Sequence, residues 1–277
     1  MKYLRLFGKI VGIFILILLF VYGVLVVGVR PSNDRDWNID QAVLPTVDIK
    51  GNLVSIHNIR NFSYTSTRDF TPSYYDATFD LEKIKNVYFI VEPFSGSASG
   101  AAHTFLSFEF EGEKFVSISV EIRKEKGESF SPLKGILRQY EIMYVIADER
   151  DVVKLRTNYR KDKVFLYPIE TTPEKIRAVF LSMLARANAL KEKPEFYNTL
   201  VSNCTTNIAK HVNTISPGRL SWNLTYLLPE NSDKYAYEVG LIDNTLPFVE
   251  TRIAHYISDL ALKYADSPDF SSKIRGR

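Results

Sequence analysis

The chain has 277 residues, 45% of them hydrophobic, and a formal net charge of +3. That composition excludes a disordered chain and suffices for one large domain or two small ones. The positive excess sits in the first 30 residues, which carry Lys2, Arg5, Lys9 and Arg30 and no acid. The remainder holds 31 basic against 32 acidic residues, which argues against a nucleic-acid partner.

Residues 10–29 contain no charge. At about 1.5 Å per residue they match the roughly 30 Å hydrocarbon layer of a bilayer. A cleaved signal peptide is the competing reading. Its apolar stretch usually runs about 7–15 residues and ends at a small-residue cleavage site. Here Gly28 is the only small residue near the end of the run, and no A-x-A pattern occurs. The expectation is an uncleaved signal anchor. Residues 1–9 stay in the cytoplasm, because the basic residues precede the span, and 10–29 cross the membrane. Residues 30–45 form a polar tether lying against the domain, and 46–277 form a single exported domain.

Short alternating runs then predict strands at 53–59 and 61–65, and the continuous apolar run 87–91 predicts a buried strand. Residues 95–102 form a small-residue loop. Residues 103–110 and 114–122 alternate around Glu111-Gly112-Glu113, the pattern of a hairpin. Further strands are predicted at 140–147 and 164–168. Thr172, Pro173 and Glu174 supply an N-cap, a first-turn proline and an acid. Ile176, Phe180, Met183, Leu184 and Ala187 follow at helical spacing, so this helix runs to about residue 191. A second helix begins at Asn203-Cys204 and runs through 213, with Ile208 and Val212 as its apolar stripe and Ser216-Pro217-Gly218 as its stop. A third is expected over 251–264, with Ile253, Ile257, Leu260 and Leu262 facing inward.

Cys204 is the sole cysteine, so no intramolecular disulfide is possible. It stands where a coil becomes a helix. The free N–H groups and dipole of a helix N-terminus stabilise a thiolate and serve an oxyanion, which makes Cys204 a candidate nucleophile with Asn203 and Thr205 beside it. A lone cysteine is otherwise a small buried hydrophobe. A nucleophile needs a base within hydrogen-bond reach. His211 lies two helical turns above Cys204, about 10 Å away. His255 falls among polar surface residues, and His57 sits in a strand beside Arg60. His103 opens a strand behind the small-residue loop and is the preferred base. Ser117, Ser119, Glu121 and Arg123 share one parity on the next strand. Either Glu121 or Ser119 would orient His103 if the hairpin turns at Gly112. No metal-ligand spacing and no phosphate loop is present, so no metal and no cofactor is expected.

Several blocks resemble the Lnb N-terminal periplasmic domain family: Ile59-Arg60-Asn61-Phe62-x-Tyr64, Ala102-His103-x-Phe105-Leu106-x-Phe108, Ser119-Val120-Glu121-x-Arg123, and above all Tyr197-Asn198-x-Leu200-x-x-Asn203-Cys204-Thr205-Thr206. The early Asp34-Arg35-Asp36-Trp37 also fits, and the likeness spans roughly residues 32–215. It implies an α+β, circularly permuted papain-like (NlpC/P60-like) domain, an antiparallel sheet packed on helices. In such a fold the histidine strand precedes the cysteine helix, as His103 precedes Cys204. The resemblance further implies a thiol acyl-enzyme with Cys204 as nucleophile and His103 as base, and Asn203, Thr205 and Arg123 are assigned to substrate or oxyanion. It places the domain in the periplasm on an inner-membrane anchor, near membrane lipid, with a lipoprotein or phospholipid acyl donor as partner. Lnb acyltransferases carry further membrane helices after this domain, and these 277 residues hold none, a departure that bears on the lipoprotein substrate. A cysteine amidase or peptidase acting on cell-wall peptide and a silent membrane-tethered binding module are the rival expectations.

Overall fold

The computed structural model describes residues 2–94 and 100–277, so most of the small-residue loop at 95–102 lies outside the described residues. The first helix, α1 (Lys2–Val26), carries Lys2, Arg5 and Lys9 in its first turns and no charge thereafter, and Arg5–Val26 is long and apolar enough to cross a membrane. It ends three residues before the uncharged run does, ahead of Gly28, whose φ of 90° leaves the helical region. Residues 32–41 then bind the domain. Ser32 N–H donates to Glu141 Oε1 at 3.0 Å, Asn33 Nδ2 donates to the carbonyls of Leu190 and Lys191, and the indole of Trp37 is buried.

The strands are β1 (Thr46–Lys50), β2 (Leu53–Arg60), β3 (Ser63–Tyr64), β4 (Phe70–Thr71), β5 (Tyr74–Asp80), β6 (Ile84–Pro93), β7 (Ala102–Phe110), β8 (Lys114–Arg123), β9 (Glu141–Ala147) and β10 (Phe165–Pro168). The main sheet runs β1-β2-β9-β8-β7-β6-β10, with β5 also paired to β2, while β3 and β4 make a separate two-stranded ribbon. All pairs are antiparallel except β2 with β9, which makes the α+β sheet mixed where an antiparallel one was expected. The helices after α1 are α2 (Pro132–Ile136), α3 (Glu149–Lys154), α4 (Pro173–Glu192), α5 (Cys204–Ile215), α6 (Ser232–Glu238), α7 (Phe248–Ala254), α8 (Ser258–Lys263) and α9 (Phe270–Lys273).

Each face of the sheet is covered by different elements. On one face Val87, Leu106, Phe108 and Ile118 pack with Phe180 and Leu184 of α4 and Ile208 of α5. On the other, Phe105, Val145 and Leu166 pack with Val152 of α3, Ala261 of α8 and Phe270 and Ile274 near the C-terminus. The helix starts follow their sequence signals. Thr172 accepts from Lys175 N–H to cap α4, whose buried residues are the expected Ile176, Phe180, Met183, Leu184 and Ala187, with Leu190. The expected third helix is instead broken into α7 and α8. Between them Ile257 N–H donates to Val164 O and Leu166 N–H donates to His255 O, so this backbone extends the edge of β10 instead of continuing a helix. Ile257 is buried as expected, but Ile253 and Leu262 are exposed.

One buried ion pair ties β2 to α3. Asp151, without solvent exposure, accepts from Arg60 Nε at 2.9 Å and Nη2 at 3.0 Å, from Phe62 N–H at 2.9 Å and from Tyr64 O–H at 2.8 Å. Removing one member of such a pair strands a buried charge. Asp151→Ala is therefore expected to destabilise the chain by about 3–5 kcal/mol, read from chemical denaturation of the full chain in detergent. A loss below about 1 kcal/mol would show that Arg60 finds another partner or reaches water.

Candidate functional site

The β7–β8 hairpin turns at Gly112 and Glu113, both with positive φ, in the register Phe105↔Ser119 and Phe110↔Lys114. This is the register expected from the alternation, and it brings His103, Ser119 and Glu121 together. His103 Nε2 lies 2.7 Å from Ser119 Oγ, and Ser119 O–H donates to Glu121 Oε1 at 2.9 Å. Because the one hydroxyl hydrogen of Ser119 goes to Glu121, Nε2 of His103 carries the ring proton and donates to Ser119. Glu121 Oε1 is itself 3.8 Å from Nε2.

Arg156, from the π-helical turn Leu155–Tyr159 after α3, completes the cluster. Its Nε donates to Glu92 Oε2 at 2.6 Å, its Nη2 donates to Glu121 Oε1 at 3.1 Å, and its guanidinium lies 4.8 Å over the ring of Phe105. Glu92 faces His103 across β6–β7 and also meets Arg160 at 3.3 Å. Burial, reinforced by the Arg156 charge, pushes the His103 imidazole down to about 3, so it is held neutral. Burial alone would raise Glu121. The charge of Arg156 overrides it, and Glu121 stays ionised well below the usual carboxylate range. Sequence reading missed Arg156. It follows the charged run Asp148-Glu149-Arg150-Asp151, which looks like a solvated face, and Val152, Val153 and Leu155 are the local signs that this segment is buried.

The cysteine lies elsewhere. Thr104, the residue after His103, points to the opposite face of the sheet, where its Oγ1 meets Thr205 Oγ1 at 3.0 Å. Cys204 belongs to the core on that face, while His103 stacks on Phe105, which belongs to the other. The sheet therefore stands between the expected nucleophile and the expected base. The contact between Cys204 and His103 expected from the sequence is not among the contacts that either side chain makes with the described residues. Successive side chains of a strand face opposite ways, and α5 packs on the face that His103 leaves.

Cys204 is 7% exposed, with Sγ 3.8 Å from Thr205 Oγ1. It neighbours Tyr197, whose hydroxyl is raised by burial and by that thiol. None of the remaining histidines serves it. His211 bonds Tyr144 O–H at 2.7 Å and Ser182 Oγ at 2.8 Å. His255 takes the carbonyl of Thr251, and His57 is held at the surface by Asp76 and Asp48. Two oxyanion assignments also change. Asn203 caps α5: its Oδ1 accepts from Thr206 N–H at 2.8 Å and its Nδ2 donates to Thr199 O and Tyr226 O. Arg123 binds the segment after α1, donating to Gln41 O, Asn33 Oδ1 and Ala42 O and lying 4.2 Å over Trp37. Both side chains are occupied in holding structure.

Thr205 keeps a different role. It lines a pocket of about 380 Å³ on the Cys204 face, walled by Val87, Phe89, Leu106, Ile176, Ile208 and Val212. Lys175 and Arg219, both exposed, also line it. The lining is thus apolar inside, with Lys175, Arg219 and the exposed Glu170 at the rim, an arrangement that suits an amphiphile with a polar end.

The described residues thus form an α+β domain behind one N-terminal helix long and apolar enough to cross a membrane. The chain belongs to the Lnb N-terminal periplasmic domain family, whose model matches residues 70–232. No curated protein and no solved structure matches the chain. The matched span contains His103, Ser119, Glu121, Arg156 and Cys204. The blocks at 34–37 and 59–64, which carried part of the resemblance, fall before it.

His103 provides a pH test. Its folded value of about 3 lies below its unfolded value of roughly 6.5, so the unfolded chain binds the extra proton between these limits. Stability is fully present above about pH 6.5 and falls with acidification, by at most about 1.4 kcal/mol per pH unit from this group. His103→Gln, which keeps a donor near Ser119, is expected to lessen the slope of stability between about pH 6.5 and 4.5 when denaturant midpoints are compared. The part due to His211, itself lowered to about 4 by burial first and then by Arg186, remains, while below about pH 4.5 the lowered Glu121 adds its own loss. An unchanged slope would show that His103 is protonated in the fold.

Proposed function

We propose that this chain is a membrane-anchored periplasmic domain that binds the acyl chain of a membrane lipid in the pocket between α4, α5 and the sheet. α1 anchors it in the inner membrane. The observation that carries this reading is the apolar pocket itself, which is lined by α5 from Thr205 to Ile215 and has Lys175, Arg219 and Glu170 at its rim. A domain tethered to a bilayer meets acyl chains at high local concentration, and the rim cations suit a carboxylate or phosphate head. The permuted papain-like architecture and its thiol chemistry require His103 and Cys204 on one face of the sheet. Their separation favours the binding reading over the acyltransferase, amidase and peptidase readings.

Native mass spectrometry of the detergent-solubilised full chain tests this. A bound lipid is expected in the wild type. Val212→Trp fills the pocket from a half-buried position and is expected to lower occupancy about tenfold or more, a change of about 1.4 kcal/mol, with an unaltered melting temperature. Full occupancy in that variant would place the lipid elsewhere.

One observation keeps a second reading in play. Cys204 is the residue before Thr205, which lines the pocket ~15 Å along α5 from its Ile215 end. An acyl group seated with its carbonyl at the Thr205 end, away from Lys175 and Arg219, would meet the thiol. If the thiol accepts acyl groups, the peptide containing Cys204 carries a hydroxylamine-sensitive acyl mass that disappears in Cys204→Ser. Absence of that mass from chains purified out of membranes leaves binding alone.

A further inference from the structure

Outside α1, exposed apolar side chains gather near the place where the anchor joins the domain. Val26 ends α1, and Ser32 is already bound to Glu141. The intervening chain spans at most about 20 Å when fully extended. The Glu141 corner of the domain is therefore confined close to the membrane end of the helix. From that corner the chain runs directly into an apolar rim. Glu141 forms a bridge with Phe196, and Asn198 and Ser202 close the loop that displays Leu200 and Val201. Thr199 Oγ1 donates to Pro132 O at 2.8 Å, which holds α2 and its Leu133 next to this loop. Gly135 makes the approach possible, because a Cβ there would come within 2.3 Å of Thr199 Oγ1. Leu200 and Val201 share a groove with Trp222 and Lys210. Leu133, Val201 and Trp222 are 63%, 64% and 72% exposed.

We infer that this rim, formed by Phe130, Leu133, Leu200, Val201, Trp222 and Leu224, is a second membrane contact that docks the domain onto the bilayer in which α1 sits. The inference rests on the anchor reading above. A large exposed indole among leucines and beside a lysine suits the interfacial layer, where Trp keeps its N–H wet and its ring in hydrocarbon. Isolated apolar side chains on a surface need no partner, but Leu200, Val201 and Trp222 share one groove, Thr199 holds α2 with Leu133 beside it, and Phe196 ties the loop to the tether corner. Docking also has a consequence for the pocket. The groove and the acyl pocket share Ala209 and Tyr226. The bilayer is then the neighbour of the pocket, and a lipid needs only a short path out of the membrane.

Trp37 and Trp222 are the chain's two tryptophans, and Trp37 is buried. The full chain is reconstituted in liposomes with and without lipids brominated high on the acyl chain, and floated on a density gradient. The Trp222 emission is the difference between wild type and Trp222→Phe. It is expected to fall about twofold or more with brominated lipid, as for an interfacial indole. Leu200→Asp with Val201→Asp, two exposed changes in one loop, is expected to remove most of that quenching. Flotation without quenching of Trp222 would overturn the docking surface and leave the anchor standing. Failure to float would overturn the anchor reading, and the docking surface with it.

Discussion

A β-strand sends neighbouring side chains to opposite faces, and in β7 this rule decides what the molecule can do. His103 and Thr104 are adjacent, yet His103 joins the charged cluster with Ser119, Glu121 and Arg156 while Thr104 meets the start of α5. No rotamer of His103 changes its face, and a one-residue slip would turn Phe105 and Leu106 inside out on two packed cores. The register is further fixed by the tight turn at Gly112 and Glu113. Separation of the histidine from the cysteine is thus a property of the whole sheet.

The two faces then acquire different chemistry. The face under α3 is ionic. The carboxylates of Glu92, Glu121 and Asp151 are balanced by the buried Arg60 and Arg156 and, from the partly exposed rim, by Arg160. Pairs of this kind add little net stability but are costly to break, so they fix how α3 and its π-helical turn sit on the strands. A histidine held neutral and already donating to Ser119 is a member of that network. The face under α4 and α5 is apolar and incompletely filled, and its gap is the pocket lined by Thr205 and Ile208. Space and apolar lining coincide on the second face, and the proposed lipid site lies there for that reason.

Local signals carried much of this structure into the sequence. The hairpin around Gly112, the capped starts of α4 and α5, and the alternation that unites Ser119, Glu121 and Arg123 all depend on residues close in the chain. The contact of Ser119 and Glu121 with His103 follows from that hairpin register alone. What depends on distant partners was not legible. Which face α5 would cover is set by packing some hundred residues away. Tyr74–Asp80 became a strand through pairing with β2, although Asp76, Thr78 and Asp80 make it read as a polar segment. Residues 255–257 left the helix because β10 offered backbone partners. Arg123 and Asn203 looked available for a substrate because nothing local reveals that a tether and a helix cap already occupy them.

In the proposed function lipid occupies the α5 face of the sheet, and the His103 cluster is a closed ionic core. Photo-crosslinking the membrane-embedded full chain with a diazirine-bearing fatty acid, followed by peptide mapping, tests this directly. Crosslinks are expected in the peptides covering 169–180 and 205–220, which wall the pocket. Crosslinks concentrated in 149–160, over His103 and Arg156, with none on α5, would contradict it.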